Sequence, residues 1–246
     1  MPRIYLSPST QQNNLFVSGG SEEYYMNLIA DDMIPYLVSN GITYTRNNRN
    51  LTAASAIAQS NASTYDLHLA IHSNASAPQN YGENRGIIVF YDPRSTSGKR
   101  AAEIFAKNLK YIYPLPNSVR AQSTTTIGEV TRTKAPSVFL ELGYHDNEED
   151  AQWIKDNINR IAQTLVYSLT EYFGIPFIYP ITPRSGRVNV SSGNLNLRQK
   201  PNTSAPIVAK MPNGSAVTVT GEWQGWYVVW YKGQTGYADA RYINLQ

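Results

Sequence analysis

Over the first 173 positions, short runs rich in β-branched and aromatic residues alternate with longer stretches whose apolar positions recur at helical spacing. The short runs are Ile4–Leu6, Ile42–Thr45, Asp66–His72, Gly86–Tyr91 and Pro136–Tyr144, each bounded by polar or turn residues, as buried strands are. Between them the spacing predicts helices. Ser21 is placed to cap one, with Glu22 and Glu23 in its first turn and Met26, Ile29, Ala30, Met33 and Leu37 on its inner face before Gly41 stops it. Pro35 inside that pattern predicts a kink or an early end. Further helices are expected over 51–60, 98–113 and 148–173. Repeated strand–helix alternation of this kind predicts an α/β fold, a mostly parallel sheet covered by helices on both faces.

After Gly174 the pattern changes. Pro176, Pro180 and Pro183 cannot continue a helix, so residues 176–186 read as a semi-rigid linker between a domain over 1–175 and another over 187–246. That tail shows only short alternating runs, 194–197, 216–220 and 226–231, broken by turn signals at Pro201-Asn202, Pro212-Asn213-Gly214, Gln224-Gly225 and Lys232-Gly233. A small all-β barrel or sandwich follows. Asn194-Leu195-Asn196-Leu197-Arg198, then Pro201, Gly214, Gly225-Trp226-Tyr227-Val228-Val229-Trp230 and Gly236-Tyr237, resemble the bacterial SH3-like domain. The resemblance implies an SH3-like barrel that binds cell wall or peptide and performs no chemistry, with Trp226 and Tyr237 expected chiefly as core.

Composition narrows the partners. A net charge of +3 and a pI near 8.9 without a Lys/Arg block argue against nucleic acid and leave room for weak attraction to an anionic polymer. No cysteine is present, so any metal must be held by histidine, carboxylate or other oxygen ligands. No apolar run approaches the ~18 residues of a membrane span, and the start, Met1-Pro2-Arg3-Ile4, reads directly into a strand. The expectation is therefore no membrane insertion and no secretory leader.

The three histidines all fall in or next to strands: His68 and His72 in one run, His145 closing another. Ligands collect at the carboxyl ends of strands in such sheets, which favours His72. His68 shares its face but lies roughly 13 Å away along a straight strand, so the two cannot hold one ion. Glu141 sits inside an apolar strand, where an unpaired carboxylate is costly and its pKa rises. With His72 and Glu23 it makes a nitrogen and oxygen set suited to a zinc site with an open position for water. A structural salt-bridge network is the alternative reading of the same spacing.

Four segments taken together, Ile4-Tyr5-Leu6-Ser7-Pro8, Glu23 with Asn27, Leu69-Ala70-Ile71-His72-Ser73-Asn74-Ala75, and Ala135-Pro136-Ser137-Val138-Phe139-Leu140-Glu141-Leu142-Gly143-Tyr144, resemble the zinc-dependent N-acetylmuramoyl-L-alanine amidases. The resemblance spans about residues 1–175. It implies cleavage of the amide joining the lactyl group of N-acetylmuramic acid to L-alanine of the stem peptide in bacterial peptidoglycan, with Glu23 and His72 as zinc ligands and Glu141 as the catalytic carboxylate. The family's first ligand, a histidine in the loop after the first strand, is replaced: Thr10 stands roughly there. His145 is the expected substitute and an oxygen ligand such as Gln11 the alternative, leaving His68 a structural or supporting role. Competing functions are a zinc peptidase acting on stem peptides and an inactive wall-binding protein. Release as a phage or prophage endolysin is expected, with a secreted host autolysin as the alternative.

Overall fold

The computed structural model describes residues 1–246. In chain order the elements are β1 (Arg3–Pro8), α1 (Glu22–Ser39), β2 (Thr43–Arg46), α2 (Ala53–Asn61), β3 (Leu67–Asn74), β4 (Ile87–Tyr91), α3 (Thr96–Leu109), β5 (Val119–Ser123), α4 (Gly128–Thr131), β6 (Ser137–Tyr144), α5 (Glu148–Asp156) and α6 (Ile158–Phe173). The tail adds β7 (Arg184–Val188), β8 (Asn194–Arg198), β9 (Ile207–Pro212), β10 (Ala216–Trp223), β11 (Trp226–Tyr231), β12 (Gln234–Asp239) and β13 (Ile243–Leu245). The chain divides into two compact units: Arg3–Met33 with Tyr44–Tyr172, and Met1–Pro2 and Ile34–Thr43 with Phe173–Gln246.

In the first unit the sheet order is β2-β1-β3-β6-β4-β5. β1, β3 and β6 run parallel, so Pro8, Asn74 and Tyr144 all emerge at one edge. β4 is reversed against β6 and parallel to β5, which makes the sheet mixed although parallel pairings predominate. Side chains alternate along each strand. Tyr5, Ala70 and Phe139 face α2 and α4, while Leu6, Leu69, Ile71, Leu140 and Leu142 on the opposite face are fully buried. The expected α/β fold class is therefore the one observed.

Three expectations change in extent. α1 runs through Pro35 to Ser39, because Pro35 lies on the exposed face, where water can meet the carbonyl it leaves free. The helix expected over 148–173 divides at Asn157, whose backbone is non-helical and whose side chain returns to the Trp153 carbonyl. β5 and the single-turn α4 were not expected, since Val119–Ser123 is mostly polar and exposed and four residues carry no periodicity.

The second unit contains a seven-stranded sheet, order β13-β7-β10-β11-β12-β8-β9, antiparallel at every pairing. Its core is Leu195, Leu197, Met211, Val217, Val219, Val229 and neighbours. Tyr237 is fully buried, as expected, whereas Trp226 is half-buried and lines a groove of about 370 Å³ with Arg198, Asp239 and Tyr242. The Pro-rich segment is held within this unit, where Asn40 bonds both the N–H and the carbonyl of Ile178. No helix in the protein is long and apolar enough to cross a membrane.

Candidate active site

The parallel run of β1, β3 and β6 brings three loops and two acidic or basic strand residues to one edge. His72 and Glu141 are direct partners in the β3–β6 register. The His72 ring stacks on Phe139, with centroids 4.2 Å apart, which fixes its plane. The loop after β1 folds back so that the Glu22 N–H meets the Asn14 carbonyl at the start of α1.

Glu22, fully buried, is the carboxylate that reaches His72: its Oε1 lies 2.7 Å from Nδ1. Glu23 points elsewhere, to Asn27 at 3.2 Å and Arg49 at 3.4 Å. One helical residue rotates a side chain by about 100°, enough to swing it out of the cleft. Gln11 Nε2 stands 3.3 Å from the same Nδ1, and Asn14 Nδ2 donates to both Gln11 Oε1 and Glu22 Oε2. Gln11, Asn14 and His72 line a cleft of about 680 Å³ with Thr10, Gln12, Asn13 and Arg49–Ala53, and Glu22 is buried against His72.

His145 does not join them. It is buried, but its Nδ1 faces the hydroxyl and carbonyl of Ser73 at 3.1 and 3.2 Å, and its ring stacks on Phe16. Its backbone N–H and carbonyl bond Asn74 and Val17, so it pins the first loop to the end of β3. His68 is fully buried between Ser60 Oγ at 3.0 Å and Glu129 Oε2 at 2.8 Å. Glu129 was not singled out from the sequence. A histidine inside an otherwise apolar strand signals that a buried acceptor is needed, but nothing in the sequence says which one.

A carboxylate oxygen, an imidazole nitrogen and a primary amide thus meet at one point. No three His, Cys, Asp or Glu side chains converge to hold an ion, so a three-ligand set of histidine and carboxylate is not built. Two strong donors are, and the Gln11 amide can present its oxygen only by turning over and giving up the bond that oxygen accepts from Asn14 Nδ2. Carboxylate, imidazole and amide oxygen all belong to the donor chemistry of divalent cations, zinc among them. The donor set fits a divalent ion, with one donor weaker than a histidine.

Electrostatics separate the two carboxylates. Burial opposes ionisation of Glu22, but the hydrogen bond and charge of His72, with Asn14 and Ser9, outweigh it and hold its pKa below the usual range. Burial likewise works against a charged His72, and the Glu129 and Glu22 carboxylates more than reverse it. Glu141 has no such partner: its Oε2 is buried without a hydrogen bond. Burial first, and the Glu22 charge second, push its carboxyl up to about 8 against the opposing effect of His72. One carboxylate is kept ionised beside a cationic centre and the other is tuned toward neutral pH, the division expected of ligand and proton carrier.

Residues 10–171 match the family model described as N-acetylmuramoyl-L-alanine amidase, and residues 193–244 match the bacterial SH3 domain. Comparison with curated proteins by sequence gives no match. Among solved structures, the catalytic domain of CwlV, an N-acetylmuramoyl-L-alanine amidase from Bacillus (Paenibacillus) polymyxa, superposes with a TM-score of 0.62 at 19% identity, covering 72% of this chain and 100% of that one. The amidase AmiC2 of Nostoc punctiforme gives 0.61 at 15%, covering 70% and 97%. The catalytic domain of an endolysin targeting Clostridia difficile gives 0.58 at 19%, covering 70% and 98%. At such identities the structural likeness speaks for the fold alone.

Proposed function

Because this chain belongs to the N-acetylmuramoyl-L-alanine amidase family, we propose that it cleaves the amide between the lactyl group of N-acetylmuramic acid and L-alanine of the peptidoglycan stem peptide. The observation that carries this reading is the buried Glu22–His72 contact, with His72 lining an open cleft and Glu141 paired to it across the neighbouring strand. Glu22 and His72, with the amide oxygen of Gln11, would hold a zinc ion. An ion held there would supply the positive charge that acidifies water and polarises the scissile carbonyl.

The chain's own residues do the rest. Glu141, whose carboxyl burial raises toward neutral pH, would take a proton from the attacking water and deliver it to the leaving nitrogen of L-alanine. Phe139 holds the His72 ring, and Asn14 orients Glu22. The cleft walls, Gln12, Asn13, Asn50 and Thr52, present amides and a hydroxyl suited to a sugar and a peptide backbone. The SH3 unit would concentrate the enzyme on the wall by tethering, its groove around Trp226 and Tyr242 being the contact surface. Action at the bacterial wall after release as a phage or prophage endolysin belongs to the same proposal; the protein added from outside should then need no membrane-permeabilising partner, whereas expressed inside the cell it should lyse only with one.

Mass spectrometry of digested peptidoglycan tests the reading. Glycan ending in free lactyl carboxylate, with L-alanine amino termini, is expected, abolished by chelator and restored by zinc. A new carboxylate within the stem peptide would make the chain a peptidase, and wall binding without any product in the presence of zinc would make it a binding protein.

A further inference from the structure

The buried groups behind His72 have no part in the chemistry above, and their arrangement is ordered. Glu129 comes from the single turn α4, whose position is fixed by Ser137 Oγ and Thr133 Oγ1 donating to the Glu129 carbonyl. Its Oε2 is committed twice, to Ser7 Oγ at 2.7 Å and to His68 Nε2 at 2.8 Å. His68 Nδ1 continues to Ser60 Oγ on α2. The other oxygen, Oε1, lies 3.8 Å from His72 Nε2. That nitrogen is buried and has no hydrogen-bond partner, although the opposite ring nitrogen is fully engaged at the cleft.

We propose that Glu129 and His68 are positioning residues of the amidase site, a buried carboxylate–imidazole pair that takes the Nε2 edge of His72 and leaves its Nδ1 edge to the cleft. The inference rests on the amidase reading of Glu22 and His72. Its physical basis is that a neutral imidazole carries one N–H, and the nitrogen that donates it leaves the other free as an electron-pair donor. As a ligand the ring keeps a single proton, which lies either at Nδ1 beside Glu22 or at Nε2 beside Glu129. Only the Glu129 side lies away from the cleft, among Ser7, His68 and Ser60. Placing the proton there makes Nδ1 a ligand, and placing it at Glu22 blocks it. A fully buried carboxylate and imidazole cost more than apolar residues of the same volume, and this arrangement gives that cost a purpose.

The test uses the full chain and the substitutions Glu129→Gln, Glu129→Asp and His68→Gln, with two readouts besides turnover. Zinc affinity, measured by competition with a chromophoric chelator, should fall about 10- to 100-fold in Glu129→Gln and His68→Gln, the usual range for partners of a ligating histidine, with partial recovery in Glu129→Asp. Nitrogen-15 NMR of the histidine rings should show a downfield Nε2 proton on His72 that moves upfield in Glu129→Gln. Loss of melting temperature with unchanged zinc affinity and an unchanged His72 ring spectrum would make the pair purely structural and overturn the proposal. Failure of the wild type to bind zinc would remove the amidase centre instead, and the ring spectra would still decide whether Glu129 holds His72.

Discussion

Glu141 carries two consequences of one environment. Its carboxyl is raised from 4.5 to about 8 in the folded chain, so the folded state favours the protonated form. The stability contributed by that proton is complete below about pH 4.5 and is lost as pH rises through about 8. Glu141→Gln should therefore lower turnover by about 10²-fold or more while becoming more stable than the wild type, by a margin that grows across that window and then levels off. Hydrolysis rates and melting curves from pH 4 to 9 check both halves; a variant no more stable at pH 9 than the parent removes the burial argument. A second contrast separates neighbours: Glu22→Gln should lose zinc binding and activity, whereas Glu23→Gln should stay within a few fold of the parent, since its partners are Asn27 and Arg49. The sequence could not distinguish these two. Spacings of three and four residues to Met26 are both one helical turn, and only the fold-back of the first loop onto Asn14 selects Glu22. For His145 the sequence shows a histidine at a strand end, but not that its Nδ1 faces the hydroxyl and carbonyl of Ser73 instead of His72.

Elements were legible where they were long and periodic. The three parallel strands, α1 and α3 follow the apolar pattern closely, and so does the switch to antiparallel strands after Gly174. Reversal of β4 left no mark, since Ile87–Tyr91 is buried and apolar whichever way it runs. In the turn after β6, Asp146 and Asn147 are buried fasteners: Asp146 accepts from the N–H groups of Ser76 and Gly82, and Asn147 donates to the Gly82 carbonyl while capping α5. Gly143, at φ +83°, lets the chain swing over Asp150, which in turn accepts from Tyr144, Gly86, Arg85 and Tyr113. Asp146→Ala would orphan two N–H groups at a cost of about 1–3 kcal/mol each. The expected result is faster proteolysis within residues 75–86 and a lower melting temperature with zinc affinity unchanged; protection equal to the parent would deny the fastening role.

For the whole molecule, the two units call for separate tests on the intact chain. Trp226→Ala with Tyr242→Ala should weaken pull-down by whole walls and slow wall lysis, while cleavage of small soluble muropeptides stays near the parental rate; equal loss on both substrates would count against tethering by the groove. The reversed strand in the catalytic unit bears on how such a protein can diversify. Because β3 ends and β4 begins at the same edge, with β6 between them, residues 75–86 bridge directly over the end of the strand that carries Glu141. Both abutments are fixed in the sheet, and the closure entropy of such a span rises by only about 0.6 kcal/mol for each doubling of length. Between the fastened positions Ser76 and Gly82, residues 77–81 are exposed, so changes of length confined to them would reshape what approaches Glu141 with no change required in the helices that hold the sheet.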